Sequence, residues 1–151
     1  MTVHTLQPPA STAAENVLVP ALRQAGLSQH HLIHVAGPGA LPAMLWLCRR
    51  GYDRAQHLRL HAPHCGLEPA DALLVPHLSH VEDLPALLAA APSVREGGVL
   101  IVRSGPQFAP AGIVAALAQP FGYDLEHHVS DKGHTLYVAR RAVRRTALKV
   151  A

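Results

Sequence analysis

A chain of 151 residues carrying a formal charge of +3 is long enough for one domain with a sizeable core. With 49% apolar and 15% charged residues it is neither disordered nor fibrous. Aromatic residues make up only 4%, so that core must rest on Leu, Val and Ala.

No apolar run approaches the ~20 residues that span a bilayer, so a membrane protein is not expected. The opening Met1–Asn16 has no basic segment followed by an apolar stretch, and no secretory signal is expected. The two cysteines, Cys48 and Cys65, make no disulfide framework, which points to the reducing cytoplasm. Arg140, Arg141, Arg144, Arg145 and Lys149 place much of the positive charge at the end of the chain. Such a run is usually a solvated end, and nucleic acid is not an expected partner.

Residues 1–11 read as a leader, since Pro8 and Pro9 oppose regular structure. Ser11 or Thr12 can cap a helix near 13–25, where Val17, Leu18, Ala21 and Leu22 recur at helical spacing and Gly26 stops it. His31–Ala36 predicts a strand, Gly37-Pro38-Gly39 a sharp turn, and 41–50 a helix closed by Gly51. Gln56–Leu60 predicts an edge strand and Ala72–Val75 a buried one. Glu82–Ala91 predicts a helix, Val99–Val102 a further strand behind Gly97-Gly98, and Pro110–Gln119 another helix. Tyr123–Val129 and Thr135–Ala139 flank Ser130–Gly133 as a hairpin. Alternating strands and helices imply a mostly parallel sheet covered on both faces, with one antiparallel strand added by the hairpin. No repeat or internal boundary interrupts residues 12–141, and 142–151 form the basic tail.

Three stretches in this order resemble the class I S-adenosylmethionine-dependent methyltransferases over about residues 12–141. Ala70–His80 is similar to the family's fourth strand and the loop after it. Glu82–Ala91 followed by Val94–Val102, with its Gly97-Gly98 junction, is similar to the helix, tight turn and fifth strand. Phe121–Leu125, the hairpin and Leu136–Arg140 are similar to the closing strands. The resemblance implies a Rossmann-like three-layer α/β/α sandwich. Residues 61–70 are too few for the helix, strand and helix that the family places there, so six strands are expected instead of seven. Ten extended residues at ~3.3 Å each still reach across one strand.

The resemblance also implies S-adenosylmethionine as cofactor, with Gly37, Pro38, Gly39, His61, Pro76 and His77 as its binding residues. It departs from the family at the acids. The places for the acid of the first strand and for the ribose-binding acid of the second fall near His34 and near Leu60-His61. A neutral imidazole accepts one hydrogen bond and cannot replace the paired acceptance of a carboxylate. His77 or His80 is placed to act as a general base.

The 12 histidines offer a different chemistry. His61-x-x-His64-Cys65 and His77-x-x-His80 follow adjacent strands, and together could hold zinc or another borderline metal. Against this, the family often carries a histidine at the place of His80 without any metal. Ser104-Gly105 lacks the surroundings of a nucleophile elbow. Asp71 opens a strand, Asp83 suits a helix start, and Cys48 with Leu41 and Leu45 reads as core. Trp46 is expected between helix and sheet or at a subunit contact. Three functions stand open: a catalytically silent relative acting as a binding or scaffold subunit, an active methyltransferase, and a metal-binding protein. A homodimer is expected to cover surface left by the missing outer elements.

Overall fold

The structure, a computed structural model, describes residues 10–60, 66–105, 108–131 and 133–143, with side chains for all of these except 10–16 and 131. Elements follow in the order α1 (Ala10–Gln24), β1 (Ile33–Val35), α2 (Ala40–Arg49), β2 (Ala55–His57), β3 (Ala72–Leu78) and α3 (Asp83–Ala90). The chain continues through β4 (Val99–Ser104), α4 (Ala111–Ala118), a 3-10 turn at Gln119–Phe121, β5 (Tyr123–Asp131) and β6 (His134–Arg141).

The six strands form one sheet in the order β2-β1-β3-β4-β6-β5. β1 pairs in parallel with β2 and β3, and β3 with β4. β6 is slotted between β4 and β5 and runs antiparallel to both. The expected Rossmann-like sandwich with six strands is therefore the fold. β3 lies on the other side of β1 from β2, and among the described residues no helix or strand comes between β2 and β3.

Alternation along the strands sorts the core into two layers. Ile33, Val35, Leu74, Ile101 and Val138 pack with Leu18, Leu22 and Leu47 of α1 and α2. Leu73, Val75, Leu100, Val102 and Tyr137 pack with Leu84, Leu87, Leu88 and Val114 of α3 and α4. Each covered strand is apolar on both faces, which accounts for the unbroken apolar runs Ala72–Val75 and Val99–Val102. Tyr123 joins the second layer, and its hydroxyl accepts the Val94 N–H at 3.3 Å. Burial pushes its phenol pKa up, outweighing that bond and the pull of Arg141.

Several expectations move. α1 begins by Ala10, so Ser11 and Thr12 lie inside the helix instead of capping it. β1 and β2 are shorter than read, three residues each, and they pair over those same three positions. Leu41, Leu45 and Cys48 are exposed, the two leucines by 52% and 45%. α2 instead buries Ala40 and Leu47, with Trp46 partly buried against the same layer. Arg140 and Arg141 belong to β6 and not to a free tail. Arg140 donates to Gly97 O, Ala25 O and the Glu126 carboxylate, and Arg141 to Val94 O. Residues 144–151, with Arg144, Arg145 and Lys149, lie outside the described residues. No helix among the described residues is long and apolar enough to cross a membrane.

Candidate functional site

Strand order reverses at β1, where the chain steps first to β2 and then back to β3. Open α/β sheets bind ligands beyond the carboxyl ends of their strands at such a point. Gly37-Pro38-Gly39 lies there, between β1 and α2. Both glycines are left-handed, with φ of 85° and 76°, a region that side chains rarely enter. A Cβ on Gly37 would stand 3.3 Å from the Leu87 side chain, so the turn also sits close on α3. A Cβ on Gly39 would lie 4.0 Å from both Pro76 and His77, so the turn faces the end of β3.

β3 carries a bulge at that end. Pro76 has no N–H for the ladder, and the register with β4 slips between Val75 and Leu78. The slip leaves His77 as the one exposed residue of β3, beside the glycine turn. Its Nε2 lies 2.9 Å from the Ser79 hydroxyl. His80 is exposed in the following loop, where its carbonyl accepts the Asp83 N–H at 3.1 Å. The structure thus brings together Gly37, Gly39, Pro76 and His77, four of the six residues expected around a cofactor. Pro38 lies exposed within the same turn. His61, His64 and Cys65 fall outside the described residues. Among the described residues no group of three His, Cys, Asp or Glu is placed to hold a metal.

The start of α2 is a poor anion site. Ala40 N–H is held by Gly37 O, Ala43 N–H by Gly39 O, and Pro42 has none to offer. The acids are also missing. His34 is 3% exposed and pairs with Gln56 and Leu73 inside the sheet, so it does not reach the rim. Its alternation from Ile33 and Val35 aims it at the α3 side. β2 ends at His57, and the Leu58 N–H donates to Val35 O at 2.8 Å. β2 therefore ends earlier than the Gln56–Leu60 expected from sequence, with Leu58 buried and Arg59 exposed beyond it, while His61 lies outside the described residues. Neither strand end carries a carboxylate.

Two residues proved structural. The Ser104 hydroxyl is fully buried and donates to Thr135 O at 3.3 Å. Asp71 accepts the Leu32 N–H at 2.8 Å and pairs with Arg95, tying the starts of β1 and β3 together. That role follows from a contact 39 residues distant, which spacing could not show.

No protein-family model matches the chain, and no curated protein matches it in sequence. Solved structures do match in shape. An S-adenosylmethionine-dependent methyltransferase from Mesorhizobium loti superposes with a TM-score of 0.55 at 15% identity, over 87% of this chain and 99% of that one. Magnesium protoporphyrin IX methyltransferase from Synechocystis, with bound SAH, gives 0.55 at 12% identity over 87% and 83%. The fold is that of the class I methyltransferases. An O-methyltransferase family protein from Burkholderia thailandensis gives 0.53 at 13% identity, and here the chain spans only 49% of the neighbour's length. The likeness is one of fold, and within that fold the glycine turn and the end of β2 both lie at the carboxyl ends of the strands beside β1.

Proposed function

We propose that this chain is a catalytically silent methyltransferase-fold protein of the cytoplasm that works as a binding or scaffold subunit, with a second copy of itself as its first partner. What supports this is the end of β2, His57-Leu58-Arg59, which carries no carboxylate where the resemblance to the methyltransferases implies a ribose-binding acid. Paired acceptance from a 2′- and a 3′-hydroxyl needs two lone-pair oxygens, and neither imidazole nor guanidinium supplies them. Leu41, Leu45 and Cys48, spaced along the outer side of α2, give the second copy an apolar stripe to cover.

Calorimetric titration of the untagged protein with S-adenosylhomocysteine tests the silent reading. The expected result is no binding tighter than the millimolar range. The second reading, an active methyltransferase, draws on the two left-handed glycines beside His77. Micromolar binding that falls at least tenfold in Gly39→Leu would restore the methyltransferase reading, count against the silent one and justify an acceptor screen. For the dimer, light scattering is expected to give twice the 16.1 kDa chain mass, reverting to the single mass in Leu41→Glu/Leu45→Glu. A monomer at high concentration removes the second copy from the proposal.

A further inference from the structure

At the opposite rim, where β1 begins, the end of α1, residues 27–30 and the end of α2 line an open cavity of about 530 Å³. Arg23, His30 and Arg50 line it together with the Gln29 side chain, and among the described residues no carboxylate does. Leu27 and Tyr52, both buried, add an apolar wall.

The two arginines have no charge partner among the described residues. Elsewhere in the fold Arg54, Arg95 and Arg140 are each paired with a carboxylate. Cations at helix ends often serve to balance the macrodipole and cap the last carbonyls. Here the backbone already closes both ends. Ala25, Gly26 and Leu27 donate to the final carbonyls of α1, and Arg50, Gly51 and Tyr52 to those of α2. Both arginines are exposed, and among the described residues no hydrogen-bond acceptor takes up their guanidinium donors.

The polar wall is also held in place. Arg50 stacks over the Trp46 ring, 4.8 Å from its centroid. Gln29 Nε2 donates to Arg50 O at 2.9 Å. Gly51 makes room for that amide, since a Cβ there would stand 2.7 Å from Gln29 Nε2. Two guanidinium forks on separate elements suit a doubly charged oxyanion, because each fork matches two oxygens. The volume lies in the range of small-molecule sites, and the apolar wall suits an organic group attached to the anion.

We propose that this cavity binds a small organic phosphate monoester of about nucleotide size, through Arg23 and Arg50. It requires neither methyl transfer nor the glycine turn.

Calorimetry of the full chain with adenosine 5′-monophosphate tests it, with adenosine and inorganic phosphate as comparators. The monophosphate is expected to bind at least tenfold tighter than either comparator. Arg23→Gln, which leaves the Arg50–Trp46 stack intact, is expected to weaken it several-fold, and Arg23→Gln/Arg50→Gln at least tenfold. Arg59→Gln, at the glycine-turn rim, is expected to leave it unchanged. Absence of binding by the folded chain overturns the proposal, as does affinity that survives the double substitution. A loss that follows Arg59→Gln would place the ligand at the other rim and overturn it equally. S-adenosylhomocysteine carries no phosphate, so its titration fails or succeeds independently.

Discussion

Gly98→Ala is expected to destabilise the fold by about 2–3 kcal/mol, lowering Tm by roughly 4–12 °C in a domain of this size. The new Cβ would stand 2.8 Å from Arg95 O, from Asp71 O and from the Val94 side chain. Two of those atoms are backbone oxygens already in use. Arg95 O accepts the Gly98 N–H at 2.9 Å, and Asp71 O accepts the Val99 N–H at 3.0 Å. Neither can withdraw without lengthening a bond at the entrance to β4. The backbone angle of Gly98 is not left-handed, so the cost is one of space alone. Alanine restricts the unfolded chain and recovers only about 0.4–1 kcal/mol, too little to reverse the sign. Gly112→Ala makes the control. It lies in α4 with nothing within 4 Å of its Cβ, and the same exchange is expected to raise Tm slightly. Thermal unfolding of the two variants beside the parent checks both signs. An unchanged Tm for Gly98→Ala would mean that β4 enters the sheet more loosely than its neighbours imply.

That junction also shows what kind of feature was legible in sequence. Gly97-Gly98 ahead of Val99–Val102 marks a tight entry to a buried strand, and the structure places both glycines there. The central strands and the missing crossover were equally open to reading, because burial on both faces leaves continuous apolar runs and ten residues cannot hold three elements. The outer parts were less so. The polar alternation of Gln56–Leu60 suggested five residues of edge strand, but pairing with β1 lasts only while β1 runs beside it. α2 was turned the wrong way. Leu41, Leu45 and Cys48 have helical spacing, but so do Ala40, Ala43 and Leu47, and that second stripe won the contact with the sheet. Spacing fixes a stripe, not which stripe faces inward.

At the site the turn was legible and its surroundings only in part. Left-handed glycines are announced by their identity, whereas the exposure of His77 depends on a bulge caused by Pro76 and realised only against β4. The cavity at the opposite rim was not foreseen. Arg23 and Arg50 are 27 positions apart and carry no spacing signal, and each alone looks like an ordinary helix-end cation.

Asp71 is the second position where one substitution should act strongly. Asp71→Ala is expected to cost about 2–3 kcal/mol, because it removes a charged acceptor and orphans the N–H of Leu32, a residue only 2% exposed. Arg95 contributes less, since half of its side chain faces water and the pair is screened. Asp71→Asn keeps one acceptor oxygen for Leu32 and is expected to cost about half as much. The pH dependence separates charge from shape. Burial raises the Asp71 pKa, but the Leu32 hydrogen bond and the Arg95 guanidinium outweigh it and hold the carboxyl below its ordinary value. A carboxyl depressed on folding adds stability above its unfolded pKa of about 3.9, and that stability is lost as pH falls through the lower folded value. The gap between parent and Asp71→Asn in urea unfolding should therefore be widest at neutral pH and narrow steadily below about pH 4. A gap that stayed constant into acid would assign the effect to shape and remove the carboxylate's charge from the account of how β1 and β3 are held together.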